Sequence, residues 1–109
     1  MIDWAQVRTL RDDLGHEAFG EVVDLFFVEN DPVVQRLDHH TAPHQMQADF
    51  HFLKGTATYL GFVDFAQLCA RCEERALAGS LSAKDVGQAV ACYAGSKAEF
   101  SAKLPGITL

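Results

Sequence analysis

His51 is the residue in this sequence whose type and setting point most directly to chemistry. At about 100° per residue, one face of its helix carries polar or small residues, namely His44, Gln47, His51, Lys54, Gly55 and Thr58. The opposite face carries apolar residues, namely Met46, Phe50, Leu53, Ala57 and Leu60. Because the apolar face is typical of a core stripe, we expect His51 to lie mid-helix on the solvent face.

An exposed imidazole in this setting favours carriage of a phosphoryl group. Neutral imidazole is a good nucleophile and can hold a phosphoryl group as a phosphoramidate. Other nucleophilic histidines need an orienting acid or a metal, but the helical wheel places no carboxylate beside His51, and Asp49 points roughly opposite. We therefore expect an unassisted imidazole whose chemistry is completed by a partner.

Two neighbours of His51 support this hypothesis. Gly55 lies one turn after His51, although a glycine inside a helix costs about 1 kcal/mol relative to alanine. Its missing side chain would let another surface approach the imidazole; close packing against a neighbouring helix is the alternative. Lys54, at i+3, would supply a counter-charge to a phosphorylated histidine; a solvated surface lysine is the alternative.

The rest of the chain predicts the frame that positions these residues. Helical periodicity extends throughout, and it predicts helices over about 4–14, 16–29, 44–60, 63–78 and 83–103. Asp3 is the predicted cap of the first helix, Gly61 and Gly79 are the predicted ends of the third and fourth, and Ser82 with Asp85 resembles a capping box.

Two prolines affect the predicted helix boundaries. The Asp31-Pro32 pair either begins a new helix or kinks one long helix that continues to about residue 40. Pro105-Gly106 is predicted to end the last helix. Long amphipathic helices with short connections predict an all-α fold, an antiparallel four-helix bundle with a short extra N-terminal helix, formed by residues 1–109 as one domain.

Composition and charge exclude several function classes. The chain has 109 residues and a net charge of −6, which repels phosphate backbones and anionic lipid, so we expect neither nucleic acid nor a membrane as partner. There is no apolar run of about 18 residues and no secretory signal pattern, so the expected location is cytoplasmic. Three cysteines close no disulfide framework, and Cys69 and Cys72 are predicted to be ordinary core thiols.

A series of motif residues extends from His51 into the following helix. The run His51-Phe52-Leu53-Lys54-Gly55-Thr56 is followed by Leu60-Gly61, and then by Leu68-Cys69 and Glu73 on the next helix. This series resembles the histidine phosphotransfer (HPt) domain family of bacterial phosphorelays, whose pattern is H-x-L-K-G-[ST/A] followed by L-G. The resemblance implies a four-helix-bundle core and exchange of a phosphoryl group with the aspartate of a receiver domain.

The resemblance also implies a role for each residue of the motif. His51 is the expected phospho-acceptor, Lys54 an electrostatic aid to the phosphoryl group, and Gly55 the clearance for the partner. We assign the surrounding surface to partner docking, with residues His44, Gln47, Phe52 and Thr58. The expected partners are receiver domains of response regulators or hybrid histidine kinases, which supply Mg²⁺. The chain itself is expected to be a monomer with no cofactor, no metal and no ATP-dependent kinase activity.

Two positions depart from the family pattern. Phe52 stands where a small or polar residue is common, and by the wheel it lies at the rim of the His51 face, where it would enlarge an apolar docking patch. Asp49 stands where an apolar residue is expected, and its predicted role is a helix-dipole or ion-pair contact. Neither departure removes a chemical group that phosphotransfer needs.

Two alternatives without phosphotransfer stay open from the sequence. Histidines at 39, 40 and 44 have a spacing that would suit a zinc site on one helix, but Thr41-Ala42-Pro43 interrupts that helix. A purely structural helical interaction module would explain the bundle. It would not explain an exposed Gly55 beside His51 and Lys54.

Overall fold

The computed structural model describes residues 1–39 and 42–108, and this part of the chain consists of helices packed side by side. The α-helices are α1 Trp4–Leu14, α2 His16–Arg36, α3 Pro43–Leu60, α4 Val63–Ala78 and α5 Ala83–Thr108, and a 3₁₀ turn, Leu37–His39, follows α2. Helices α2 to α5 form the bundle, and the short α1 packs against α2 and α3. The predicted fold class is confirmed. No helix among the described residues combines the length and the apolar character needed to cross a lipid bilayer.

The helix ends follow the capping residues expected from the sequence. The Asp3 side chain accepts a hydrogen bond of 3.2 Å from a backbone N–H in the first turn of α1. Gly61 and Gly79 end α3 and α4 in the left-handed conformation, with φ of 86° and 73°. The Ser82 hydroxyl accepts from the Asp85 backbone N–H at 3.2 Å, and the Asp85 carboxylate accepts from the Ser82 backbone N–H at 3.1 Å, which completes the predicted capping box.

Of the two alternatives for Pro32, the structure has the single long helix: α2 continues through the proline and ends at Arg36, so the predicted helix end at about residue 29 is wrong. A proline inside a helix costs about 3 kcal/mol because it removes a backbone hydrogen bond. Val33 and Val34, directly after it, are both buried. Burial of a valine side chain contributes about 1.5–3 kcal/mol, so the two together outweigh the cost of the proline.

The predicted end of the last helix at Pro105 is wrong, because α5 continues to Thr108. Ile107 is buried beyond the proline. Its carbonyl accepts a hydrogen bond of 2.5 Å from Nη1 of Arg11 on α1. These contacts with the rest of the fold hold the final turn in helical form, which the local sequence does not reveal.

Aromatic side chains of α1, α2 and α5 form a cluster with Phe62, which lies between α3 and α4. Phe62 has ring centroids of Phe26 and Phe100 at 5.1 and 5.4 Å, and Trp4 stacks on Phe100 at 5.5 Å. Each such pair contributes about 0.5–1.5 kcal/mol beyond the area it buries. This cluster holds the C-terminal end of α3, the helix that carries His51.

The apolar stripe of α3 faces this core as predicted. All five of its members are buried, namely Met46, Phe50, Leu53, Ala57 and Leu60. Side chains on opposite faces of a helix point in opposite directions. Burial of this stripe therefore leaves the face that carries His51 towards solvent.

Gly61 lets the start of α1 pass close to the end of α3. The backbone N–H of Asp3 donates to the Gly61 carbonyl at 2.8 Å. A Cβ on Gly61 would lie 2.9 Å from the Asp3 carbonyl oxygen, which is closer than real Cβ atoms approach. Glycine is therefore required here by space as well as by its φ of +86°.

Replacement of the two left-handed glycines by alanine tests this distinction. Gly79→Ala meets no atom within 4 Å and carries only the backbone strain, about 1–2 kcal/mol. Gly61→Ala carries the same strain and also displaces the Asp3 backbone, so we expect a larger loss, by at least about 1 kcal/mol. Urea unfolding of both variants measures the difference. Equal losses would show that the contact with Asp3 adjusts without cost.

Candidate functional site

His51 lies in the middle of α3 with its side chain 66% exposed. The residues on either side that face the core, Phe50 and Leu53, are fully buried and hold this part of the helix in place. The imidazole thus stands on a rigid helix and not on a loop. The prediction of a solvent-facing histidine at this position agrees with the structure.

Glu73 of α4 contacts the imidazole and forms the centre of a polar cluster. Its carboxylate lies 2.8 Å from His51 Nδ1, accepts from Lys54 Nζ at 2.6 Å and accepts from Gln47 Nε2 at 3.2 Å. The Glu73 side chain is only 11% exposed. We call these four residues the Glu73 cluster. Three donors from α3 satisfy one nearly buried carboxylate of α4.

The Glu73 carboxylate is held in its ionised form. The hydrogen bond from Lys54, and after it those from His51 and Gln47, lower the pKa of Glu73 below its ordinary value, although burial opposes this shift. An ionised carboxylate accepts hydrogen bonds and donates none, so His51 Nδ1 is the donor. Neutral His51 therefore carries its proton on Nδ1, and Nε2 keeps a free lone pair.

The expectation of an unassisted imidazole is therefore wrong. The helical wheel correctly showed no carboxylate on the His51 face of α3, but the orienting acid comes from α4, 22 residues along the chain. A signal for it was present in the sequence. Glu73 follows Cys69 by four residues on a stripe that also holds Cys72 and Ala76, so it is a carboxylate at a core position.

Lys54 and Gly55 both lie next to His51 on the surface of α3, but their surroundings differ. The Lys54 ammonium is engaged with Glu73, so it is not the freely solvated lysine of the alternative reading. Gly55 is exposed, and a Cβ added there would meet no atom within 4 Å. The alternative that Gly55 permits close packing of a neighbouring helix is thus wrong, and the space beside it is open.

The four residues assigned to docking fall into two groups. Gln47 is half-buried and donates to Glu73, so its side chain belongs to the Glu73 cluster. His44, Phe52 and Thr58 are exposed, and the Thr58 hydroxyl donates to the Lys54 carbonyl at 2.8 Å. His44 and Thr58 stand two turns before and after His51, about 10 Å away along the helix axis.

Asp49, which departs from the family pattern, is buried and forms an ion pair with α2. Arg36 donates to it from Nη2 at 2.7 Å and from Nε at 3.1 Å. This fork geometry is the strong form of a carboxylate pair, and it raises the pKa of Arg36. The predicted ion-pair role of Asp49 is confirmed, and the pair ties α2 to α3.

The residues of the metal alternative are only partly described. His40 and Thr41 lie outside the described residues, and His39 and His44 are exposed. Within 1–39 and 42–108, no three His, Cys, Asp or Glu side chains converge in a way that could hold a metal ion. Cys69 and Cys72 are buried free thiols, and burial raises the pKa of both.

Comparison with known proteins adds one finding. A family model described as the Hpt domain matches residues 21–99, a range that contains His51, Lys54, Gly55 and Glu73. Comparisons with curated proteins and with solved structures gave no significant match.

The Glu73 cluster predicts a specific dependence of stability on pH. Because the folded-state pKa of Glu73 is lowered, its stabilising effect is complete above about pH 4.5 and is lost as the pH falls through the folded-state value. Glu73→Gln removes this charge, and we expect a loss of roughly 1–3 kcal/mol at pH 7 that shrinks below pH 4.5.

Urea unfolding at several pH values between 7 and 3 measures this effect, and Glu74→Gln is the matched control because the neighbouring Glu74 side chain is exposed. A loss for Glu73→Gln that stays constant over this range would contradict the role of charge.

Proposed function

Because this chain belongs to the Hpt domain family of two-component phosphorelays, we propose that it carries a phosphoryl group on His51 between the aspartates of receiver domains. Hpt domains are phosphocarriers and not kinases, and they interact with receiver domains. We assign no ATP-dependent step to this chain. Receiver domains of response regulators or hybrid kinases would supply the aspartate and the Mg²⁺.

The observation that carries the proposal is the hydrogen bond between His51 Nδ1 and Glu73 on an exposed helix face. It holds the imidazole in one orientation and leaves Nε2 as the nucleophilic nitrogen. In the proposed step, the Nε2 lone pair attacks the phosphorus of a receiver's aspartyl phosphate. The P–O bond to the aspartate breaks, and its electron pair returns to the aspartate as carboxylate.

The Glu73 cluster supports this step electrostatically. When Nε2 takes up the phosphoryl group, the ring becomes a cation that still carries the Nδ1 proton, and the Glu73 carboxylate 2.8 Å away stabilises that charge. In the reverse step, a receiver carboxylate attacks phosphorus and the P–N bond breaks, returning its electron pair to Nε2. The same ring orientation serves both directions because the Nδ1 proton never has to leave.

Lys54 is the proposed counter-charge for the phosphoryl oxygens. Its ammonium donates a hydrogen bond to Glu73, and the flexible lysine side chain allows the ammonium to turn towards a phosphoryl group on Nε2 of His51. An exposed charge pair is worth only about 0.2–1 kcal/mol, but its strength rises when a docked partner excludes water. We further propose that Gly55 provides clearance for the partner, and that His44, Phe52 and Thr58 lie in the docked surface.

Substitution of His51 is the test of the proposal. We expect His51→Gln to abolish the acid-labile, base-stable labelling that wild type acquires from phosphorylated receiver domains, with helicity unchanged. His16→Gln and His39→Gln are matched controls because both side chains are exposed and lie outside the proposed docked surface, and we expect both variants to accept phosphate. Labelling that persists in His51→Gln would refute the assignment. Failure of wild type to accept phosphate from any receiver domain of the same genome would favour an interaction module without phosphotransfer.

Substitution of Lys54 separates electrostatic help from the nucleophile itself. We expect Lys54→Ala to be phosphorylated at a rate reduced roughly 3- to 30-fold, equivalent to about 0.7–2 kcal/mol. Lys54→Arg is expected to keep most of the rate because it keeps the charge. A time course of transfer from one phosphorylated receiver measures both, under conditions where all three proteins are fully folded. Complete loss of labelling in Lys54→Ala would show that Lys54 is essential to the chemistry. An unchanged rate would show that Lys54 has no part in the transfer.

A further inference from the structure

Gln47 is the member of the Glu73 cluster to which the proposed transfer assigns no role. It lies one turn before His51 on α3 and is half-buried. Its amide nitrogen Nε2 donates to Glu73 Oε2 at 3.2 Å, and His51 Nδ1 lies 2.8 Å from the same oxygen. Gln47 and the imidazole therefore share one oxygen of the carboxylate.

The other oxygen of Glu73 has a different partner. Oε1 accepts a hydrogen bond from Lys54 Nζ at 2.6 Å. The Lys54 side chain is 37% exposed, so its ammonium can turn towards solvent and towards a group on Nε2 of His51. The three donors are thus divided. A neutral amide and the ring lie on Oε2, and a flexible cation lies on Oε1.

The charge of Lys54 cannot compensate two anions fully at the same time. Before the transfer, the ammonium compensates the Glu73 carboxylate, so less negative charge faces Nδ1 and the neutral His51 ring is favoured. A phosphoryl group carries more negative charge than a carboxylate, so it draws the ammonium away from Oε1. The carboxylate then faces the ring without compensation and stabilises the ring cation.

Departure of the ammonium leaves a nearly buried carboxylate with fewer donors. The Glu73 side chain is 11% exposed, so water replaces little of what Lys54 supplied. A carboxylate held only by the ring would be free to rotate off Nδ1, and its effect on the ring would then be lost. The Gln47 amide opposes this rotation because it stays on Oε2, and it carries no charge that would cancel that of the carboxylate.

We propose that Gln47 is a positioning residue that keeps Glu73 on Nδ1 of His51 after Lys54 has moved to the phosphoryl group. The inference rests on the proposed function, since it concerns the phosphorylated form of His51. Because Glu73 held in this position favours the ring cation, which is the better leaving group, Gln47 accelerates release of the phosphoryl group.

No proton has to leave the ring during this release. An oxygen of the acceptor, either a receiver carboxylate or water, attacks phosphorus, and the P–N bond breaks. Its electron pair goes to Nε2, the proton stays on Nδ1, and the ring becomes neutral imidazole. When water is the acceptor, it loses a proton to solvent and inorganic phosphate is formed.

The experiment measures labelling of His51 and release of the label without any docked protein. Potassium phosphoramidate is the donor; its P–N bond breaks and ammonia leaves as Nε2 binds phosphorus. Gln47→Met and Gln47→Ala both remove the amide donor. Gln45→Met is the matched control, because Gln45 is exposed on the same helix. Circular dichroism identifies conditions in which every variant is folded.

We expect the two Gln47 variants to differ from wild type in one direction of transfer only. Labelling should proceed at the wild-type rate, because Lys54 still holds Glu73 before the transfer. Release to water should be roughly 3- to 10-fold slower, which is the effect of one ordinary hydrogen bond. Nitrogen-15 NMR of the phosphorylated protein should show a smaller fraction of rings protonated on Nδ1 than in wild type at the same pH. Gln45→Met should match wild type throughout.

A double-mutant cycle tests whether Gln47 acts through Glu73. In a Glu73→Gln background, we expect Gln47→Met to change the rate of release by less than about twofold, because the carboxylate that it positions is gone. Slower release that persists in full in this background would overturn the proposal, since Gln47 would then act without the carboxylate.

The remaining outcomes separate this proposal from the proposed function. Release at the wild-type rate from both Gln47 variants would overturn the proposal and leave the role of His51 intact. Equal slowing of labelling and release would also overturn it, because Gln47 would then only support the structure of the site. If neither phosphoramidate nor any receiver labels His51 in wild type, the proposed function itself is refuted, and the inference is refuted with it.

Discussion

The carboxylate of Glu73 lies nearly buried between α3 and α4, and the geometry of the site depends on how it is satisfied. A buried carboxylate left unpaired costs several kcal/mol, and donors at positions i, i+4 and i+7 of α3 remove that cost. Because these donors share one face, Glu73 sets the rotation of α3 about its axis. The interaction that joins the two helices also determines which nitrogen of the His51 ring carries the proton.

Contacts with α2 hold α3 from the other side. The Arg36–Asp49 pair lies just before His51 in the sequence of α3, and the Asn30–Thr56 hydrogen bond lies just after it. These two polar contacts, one on each side of the imidazole along α3, fix both the spacing and the register of α2 and α3. The rigid setting matters chemically, because phosphoryl transfer depends mainly on in-line positioning and on charge compensation.

The two flanks of His51 consequently differ in character. Towards α4 the side chains are polar and engaged with one another around Glu73, and they orient the ring. Towards α2 the surface is open at Gly55, and the apolar side chains of Leu25 and Tyr59 are exposed. A phosphocarrier needs both properties, since its nucleophile must be held in one orientation and must still be reached by partners that bring their own aspartate.

Helix periodicity and capping are local properties, and so the sequence alone predicted the five helices, the ends of α3 and α4, and the outward face of His51. The passage of α2 through Pro32 and of α5 through Pro105 depended on burial of Val33, Val34 and Ile107 by other helices. The partner of the His51 ring likewise came from a different helix. A wheel drawn for α3 contains no information on how α4 is placed against it. Only the packing of whole helices brings Glu73 to Nδ1, because that contact depends on interhelical register and not on spacing along one chain segment.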